Sequence, residues 1–314
     1  MSRRLAVLLA VFLTVAIAGP WLAPYSPDVQ HREFLYAPPM TPHVFREGGL
    51  HWPFVHPLTL VDRLSQRYTE DRTRVQRLPW FTREGDAPVF LLGADSYGRD
   101  LLSRVLHGAR VSLSLALVAA LCALLIGTLL GGIAGYRGGS LDEAVMRLAD
   151  LVAVLPVIYV VLVLRAALPL VLAPSTIFAV MTTIFALVGW PFVARNVRNI
   201  ITSEREREYV MAARAMGASG PAILWRHLLP ACGGQLLVHA TVLLPAFILA
   251  EATLSYVGLG FPDDMASWGT MLIEAANVNA MSRFPWTLMP ALAIFLVVLS
   301  GNALLQSGTI NDRP

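Results

Sequence analysis

The chain has 314 residues, 56% of them hydrophobic and 14% charged, with a mean hydropathy of +0.60 and a formal net charge of +3; that apolar share exceeds an ordinary soluble domain's. All 24 basic residues are arginine, which excludes a Gly-Lys-Ser/Thr phosphate loop and any Schiff-base or general-base lysine. The two cysteines, Cys122 and Cys232, lie far apart in or beside apolar runs, so neither a metal site nor a disulfide framework is expected.

Crossing a bilayer takes about 20 mostly apolar residues, and six runs qualify: residues 5–22, 111–134, 151–172, 175–194, 236–257 and 287–305. The expected fold class is an all-α integral membrane protein with six transmembrane helices. The first run competes with a cleavable leader, since Arg3-Arg4, an apolar stretch and Ala16-Ile17-Ala18 fit that plan. Pro20 just past the cut and the continuing Trp21-Leu22-Ala23 favour a retained span over residues 1–23. Arg3 and Arg4 then hold the N-terminus in the cytoplasm, and six alternating crossings bring the C-terminus to the same side. The cytoplasmic segments contain Arg137, Arg147, Arg195, Arg198, Arg205, Arg207, Arg214 and Arg226, whereas the short outer loops hold little beyond Arg283.

Residues 24–110 fall outside and carry eleven arginines; the positive-inside rule weakens for loops longer than about 60 residues. Pro24, Pro27, Pro38, Pro39 and Pro42 predict extended chain at its start. Residues 60–78, LVDRLSQRYTEDRTRVQRL, read as a charged amphipathic helix with Leu60, Val61, Leu64 and Tyr68 on its apolar side. Residues 111–305 then form a five-helix core and 306–314 a short cytoplasmic tail. Gly127, Gly131, Gly132 and Gly135 include two small-xxx-small pairs that permit close helix approach. Pro156, Gly189 with Pro191, and Pro245 lie within spans, where neighbouring helices must satisfy the freed backbone groups.

The cytoplasmic segment 195–232 contains EYVMAARAMGASGPAILWRHLLP, residues 208–230. Tyr209, Ala212, Ala213 and Met216 recur at i, i+3, i+4 and i+7, one face of a helix. Gly217 is expected to stop that helix, and Ser219 or Gly220 followed by Pro221 to start a second. The second sets Ile223, Leu224, His227 and Leu228 on one side and ends at Pro230. A DNA-reading pair is excluded, because about 35 residues tied to the membrane at both ends leave no room for a supporting core. Alanines in place of bulky anchors argue against a bilayer-hugging helix, so the small face is read as a docking surface for a protein.

Ala212-Ala213, Gly217 and then His227-Leu228-Leu229-Pro230, at this spacing, resemble the "EAA" loop of ATP-binding-cassette (ABC) importer permeases. Glu208-Tyr209 before the alanines and Arg226-His227 before the Leu-Pro make the resemblance one to the dipeptide/oligopeptide (Dpp/Opp C-type) branch. Met211 stands where a glutamate is usual. Residues 92–100, LGADSYGRD, with Ser103-Arg104 and Gly108-Ala109-Arg110 behind them, are similar to the branch's signature before the second span, with Ala94 for threonine. Asp142, Met146-Arg147, Asp150 and Pro156 match the entry to the third span. Glu251-Ala252, Leu254-Ser255-Tyr256, Gly258-Leu259-Gly260 and Ser267-Trp268-Gly269 match the fifth span and its outer loop. The likeness covers most of residues 90–290. The tail keeps Asn302 but lacks the usual Gly-Asp-Gly and Arg-Asp pattern, and residues 24–91 form a longer outer segment than is common.

The resemblance implies a type I ABC importer permease fold in the bacterial inner membrane, and a pore-forming subunit without catalysis or a cofactor of its own. It also implies a sister permease, two ATP-binding subunits or domains, an extracytoplasmic solute-binding protein, and peptides or a related small solute as cargo. It assigns Glu208, Tyr209, Ala212, Ala213, Gly217, His227, Leu229 and Pro230 to ATPase coupling. Glu251 and Ser255 are the candidate translocation-pathway residues; an ionisable group in an apolar run marks a pathway or a paired site. Arg165 is read as snorkelling to the interface, His239 as a hydrogen-bonded core residue, and Asp95, Arg99 and Asp100 as an ion network at a helix start. A secondary transporter would need ion sites near mid-membrane, for which His239 is the main candidate. An embedded enzyme would need HExxH, GxSxG or paired intramembrane carboxylates, which the sequence lacks. No nucleic-acid partner is expected.

Overall fold

The computed structural model describes residues 14–46, 49–81, 87–156, 159–163 and 172–310. Arg3, Arg4, Arg165 and residues 311–314 lie outside the described residues, as do half of the first expected run, 5–13, and part of the third. The chain divides into two units, Arg3–Ser114 with Ser255–Val297, and Leu115–Leu254 with Val298–Pro314.

The first unit contains all the described strands. β1 (His43–Arg46), β2 (Gly49–Val55) and β5 (Gln76–Arg77) form one antiparallel sheet in the order β1-β2-β5, and β3 (Leu58–Asp62) with β4 (Arg67–Glu70) forms a separate hairpin. The chain is therefore not all-α, and the helix expected over residues 60–78 is instead this hairpin followed by β5. Local chemistry explains the difference. Asp62 accepts from the Leu64 N–H at 2.9 Å and from the Ser65 hydroxyl at 2.6 Å, an Asx turn that competes with helix formation, while Gln66 adopts a positive φ of 51°. Thr59 pairs across the ladder with Thr69, and Leu60 with Tyr68, residue types that suit strands. The expected apolar side does not exist as such: Leu60, Val61 and Leu64 are exposed, and only Tyr68 packs on the core of Ala37, Met40, Val55, Leu58, Val89, Phe90 and Ala94.

Residues 14–22 are helical and anchored to this unit. A methyl on Gly19 would meet the Leu106 carbonyl oxygen at 2.9 Å, and the Trp80 Nε1–H donates to the Leu22 carbonyl at 3.0 Å. Helix α1 (Leu101–Arg137) begins well before the apolar run that announced it. Asp100 explains the early start: its Oδ2 accepts from the Ser103 N–H at 2.8 Å and hydroxyl at 2.6 Å, an N-cap arrangement.

In the second unit, α2 (Gly139–Val154) starts at two glycines of positive φ, the cap Gly138 and its first residue Gly139, and ends where Leu155 turns extended ahead of Pro156. The next long helix, α3 (Pro174–Glu204), runs through Pro191. Arg198 grips Asp142 through Nε–Oδ1 at 2.9 Å and Nη2–Oδ2 at 2.5 Å, and Arg195 reaches Asp150 at 2.6 Å, tying α2 to α3. The forked Arg198 contact holds the Asp142 pKa below the ordinary carboxylate value. Gly127, Gly131 and Gly135 face α3 so closely that a methyl on each would stand 2.5 Å from Val193 Cβ, 2.2 Å from the Ala194 oxygen and 2.7 Å from the Arg198 oxygen, respectively. The predicted small-residue pairs thus form a backbone-to-backbone crossing.

Three helices among the described residues are long and apolar enough to cross a membrane: α1, α3 and Gly233–Tyr256. The last expected span divides into a 3₁₀ turn, Pro285–Leu288, and a helix over Met289–Ile310.

Candidate functional site

The segment 208–230 folds as a helix pair, as its sequence predicts. Helix α4 (Glu208–Ala215) has Glu208 in its first turn and Arg214 in its last, both complementing the helix dipole. Gly217 takes φ +83°, its N–H donates to the Arg214 carbonyl at 3.0 Å, and the Ala218 N–H donates to the Ala213 carbonyl at 3.1 Å. These two bonds make the closing turn that glycine favours after a helix. The chain restarts with Ser219 as N-cap and Pro221 in the first turn of α5 (Gly220–Ile223). A π-turn over Leu224–Leu228 follows, closed by the Leu229 N–H bonding to the Leu224 carbonyl, and then the short α6 (Leu229–Ala231). Pro230 has no N–H to offer an α-turn and its ring crowds the carbonyl four residues back; the wide turn accommodates both.

The face read from periodicity splits. Ala213 is only 4% exposed and Val210 fully buried, whereas Tyr209, Ala212, Met211 and Met216 are exposed. The outward surface is therefore centred on Tyr209, Ala212 and Met216, with Trp225 of the π-turn also exposed, and Ala213 belongs to the inner side. Met211, at the usual glutamate position, points outward. Of the residues expected on one side of the second helix, Ile223, Leu224 and Leu228 are buried and His227 is half-buried; Leu229 is half-buried and Pro230 exposed. The His227 and Tyr209 rings lie 6.5 Å apart.

Residues that sequence reasoning passed over hold this pair in place. The Tyr209 hydroxyl donates to Glu204 Oε2 at 2.9 Å, and Arg205 Nη1 donates to the Gly135 carbonyl at 3.0 Å. A methyl on Gly220 would meet the Tyr136 hydroxyl at 2.9 Å, and one on Gly132 would meet Leu229 Cδ2 at 3.3 Å. The C-terminal ends of α1 and α3 thus both seat the pair. Glu204 and Arg205 were legible only as charges at the end of a span.

Helix α7 (Gly233–Tyr256) passes through Pro245. Glu251 and Ser255 are both fully buried; Ser255 Oγ accepts the Phe261 N–H at 3.3 Å, and a methyl on Gly260 would collide with it. His239 is buried against Phe192, ring centroids 4.9 Å apart. Neither of its ring nitrogens finds a hydrogen-bond partner among the described residues, so the expectation of a hydrogen-bonded core histidine is not met; the Phe192 edge contact takes that place.

The other motifs pack in the first unit. Helix α8 (Trp268–Ala275) is capped by Ser267, whose hydroxyl accepts the Thr270 N–H at 3.1 Å. Trp268 donates its Nε1–H to the Val105 carbonyl at 3.0 Å, and a methyl on Gly108 would meet its ring at 3.1 Å. The Gly108-Ala109 and Ser267-Trp268-Gly269 signatures are thus two sides of one contact. The Asp95 network also forms: Arg99 Nε lies 2.6 Å and Arg104 Nε 3.7 Å from Asp95 Oδ2.

Residues 127–307 match the family model described as binding-protein-dependent transport system inner membrane component, and residues 5–39 match the N-terminal TM domain of oligopeptide transport permease C. The di/tripeptide transport system permease protein DppC of Pseudomonas aeruginosa is 34% identical over 299 residues, 95% of this chain and 82% of that protein. The oligopeptide transport system permease protein OppC of Bacillus subtilis is 37% identical over 216 residues, 69% of this chain and 68% of that protein. A chain of the inward-facing MetNI methionine ABC transporter is 20% identical, with a TM-score of 0.47 over 65% of this chain and 95% of that one. With the model matched across residues 127–307 and a relative aligned along nearly its whole length, the chain belongs to the family of inner membrane components of binding-protein-dependent transport systems.

Proposed function

We propose that the chain is the permease subunit of an ABC importer that carries peptides across the bacterial inner membrane, spanning it six times with both termini in the cytoplasm. In this reading a sister permease completes the pathway, two ATP-binding subunits supply the energy, and an extracytoplasmic binding protein delivers the solute. The chain itself performs no hydrolysis. Glu251 and Ser255 lie on the pathway side of α7 and open to solute only in another state of the cycle.

The observation that carries the coupling assignment is the double seating of the 208–230 helix pair on the ends of α1 and α3. An ATPase pressing on Tyr209, Ala212 and Met216 displaces the pair as a body, and α1 and α3 move with it, so that nucleotide-driven closure becomes a rocking of the bundle. The test separates surface from core. Ala212→Arg alters the outward face alone, so thermal stability should stay at the wild-type value while copurifying ATPase and ATP-driven peptide uptake fall at least about tenfold, the loss of one interface hot spot. Ala213→Arg instead buries a charge and lowers stability. An Ala212→Arg complex that retains its ATPase and wild-type uptake would sink the assignment.

A further inference from the structure

The first unit has a half-open cavity of about 260 Å³ that the coupling assignment does not use. Its walls include Tyr36 ahead of β1, the turn carrying Asp95 and Arg99 with Arg104 of α1, Asp263 ahead of α8, Glu274 of α8, and Thr287 of the 3₁₀ turn. The positive groups are already committed. Arg99 and Arg104 share Asp95, and they also donate through Nη1 to the carbonyls of Asp263 and Pro27, each at 3.3 Å. Arg99 further covers the Tyr97 ring at 4.6 Å.

Glu274 differs. Its Oε1 accepts the Ser96 N–H at 2.7 Å and its carboxylate takes the Tyr36 hydroxyl, yet among the described residues no cation stands within ion-pair distance of it. Burial and the nearby Asp95 raise its pKa above the ordinary carboxylate value. Glu274 is half-buried, and Arg104 acts on it only from beyond ion-pair distance, so a positive partner in direct contact would stabilise the carboxylate. Tyr36, which completes that corner, is held in the left-handed region at φ 52°. Its N–H bonds to the Asp95 carbonyl at 3.0 Å, and its ring stacks on Phe284 at 4.1 Å with the planes 9° apart. Such a backbone persists only where the surroundings over-determine it; here it fixes the phenol oxygen beside the carboxylate.

We propose that this cavity binds the ammonium group of a small molecule, of the kind borne by the amino terminus of an amino acid or short peptide, with Glu274 as counter-ion and the Tyr36 oxygen beside it. The volume lies at the small end of ligand sites, suiting one or two residues rather than a long peptide. Linking that ammonium to a transported peptide rests on the proposed transport function; the binding itself does not.

The test is isothermal titration calorimetry on the full chain, with the subunits that copurify with it, in lipid nanodiscs near neutral pH. The probes are Ala-Ala and N-acetyl-Ala-Ala. Ala-Ala should bind, and acetylation, which removes the ammonium, should weaken binding at least about tenfold, or 1.4 kcal/mol. Glu274→Gln, which keeps the side-chain volume, should cause the same loss, and ethylamine should compete with Ala-Ala. Equal binding of the acetylated probe, no heat from Ala-Ala, or wild-type affinity in Glu274→Gln overturns the proposal. If Glu274→Gln does not accumulate as folded protein, the comparison of the two probes on the wild type decides the matter. Ala212→Arg should keep Ala-Ala binding whatever it does to uptake, so failure of the coupling assignment and failure of this site give different results.

Discussion

Alanine at Gly131 should break the α1–α3 crossing, while alanine at Gly132 should not. A methyl at 131 would stand 2.2 Å from the Ala194 oxygen and 2.8 Å from its Cα, both backbone atoms; at 132 the nearest atom is the end of the Leu229 side chain at 3.3 Å. To reach ordinary contact the first substitution must part the two helices locally by about 1 Å, and a gap of that size forfeits roughly a quarter to a half of the dispersion attraction between facing atoms. Overpacking of this kind costs about 1–3 kcal/mol, and an obstruction made of backbone belongs at the upper end. Gly132→Ala needs only a small shift of one methyl, and replacing a mid-helix glycine gains about 0.5–1 kcal/mol. The neighbouring variants should therefore differ by about 3 kcal/mol. At about 2–4 °C per kcal/mol for domains of 150–250 residues, thermal unfolding in detergent should place Gly131→Ala several degrees below the wild type and Gly132→Ala at or above it. Equal midpoints for the two variants would refute the backbone-to-backbone crossing.

Gly217→Val meets no steric obstacle, so its cost is conformational, about 1–2 kcal/mol for a left-handed residue; ATPase copurification should drop, while Gly233→Ala, open but with no positive φ, should match the wild type. The Asp100 carboxyl is pushed up to about 6 from 3.8 by burial. The folded state then holds that proton more tightly than the unfolded state, so the stabilisation is complete below about pH 4 and is lost as pH rises through about 6. The shift corresponds to roughly 3 kcal/mol, and Asp100→Asn should flatten this part of the stability profile read by tryptophan fluorescence. Arg198→Lys keeps the charge opposite Asp142 but loses the fork; unfolding should show a loss of about 1 kcal/mol, smaller than that of Arg198→Ala, and a wild-type midpoint for Arg198→Lys would show that the second contact contributes nothing.

The helix pair was legible because its signals are local: a glycine stop at Gly217, a Ser219-Gly220-Pro221 restart, and apolar spacing at 223, 224 and 228. Which side of α4 faces outward was not. Tyr209, Ala212, Ala213 and Met216 share a stripe by period alone, and only tertiary packing, which includes the contact with α5, decides that Val210 and Ala213 turn inward. Residues 60–78 were misread as a helix because charge and leucine spacing outweighed the Asp62 turn between the strands 58–62 and 67–70. Hydropathy marks only where α1 becomes apolar, at about residue 111; its start was legible instead from the Asp95, Arg99 and Asp100 cluster, where Asp100 caps it. Glu274 gave no signal at all, since its neighbours Tyr36 and Ser96 are far away in sequence.

The glycine-lined crossing of α1 and α3 has a mechanical consequence. Side chains at a helix interface can change rotamer and so absorb small displacements; Gly127, Gly131 and Gly135 have none, and the atoms opposite Gly131 and Gly135 are main chain. Such a seam has no soft degrees of freedom and resists compression like a single solid piece. A push received where the chain leaves α3 arrives at α1 with little damping, and the compliance that lets a bundle rock must reside outside this seam.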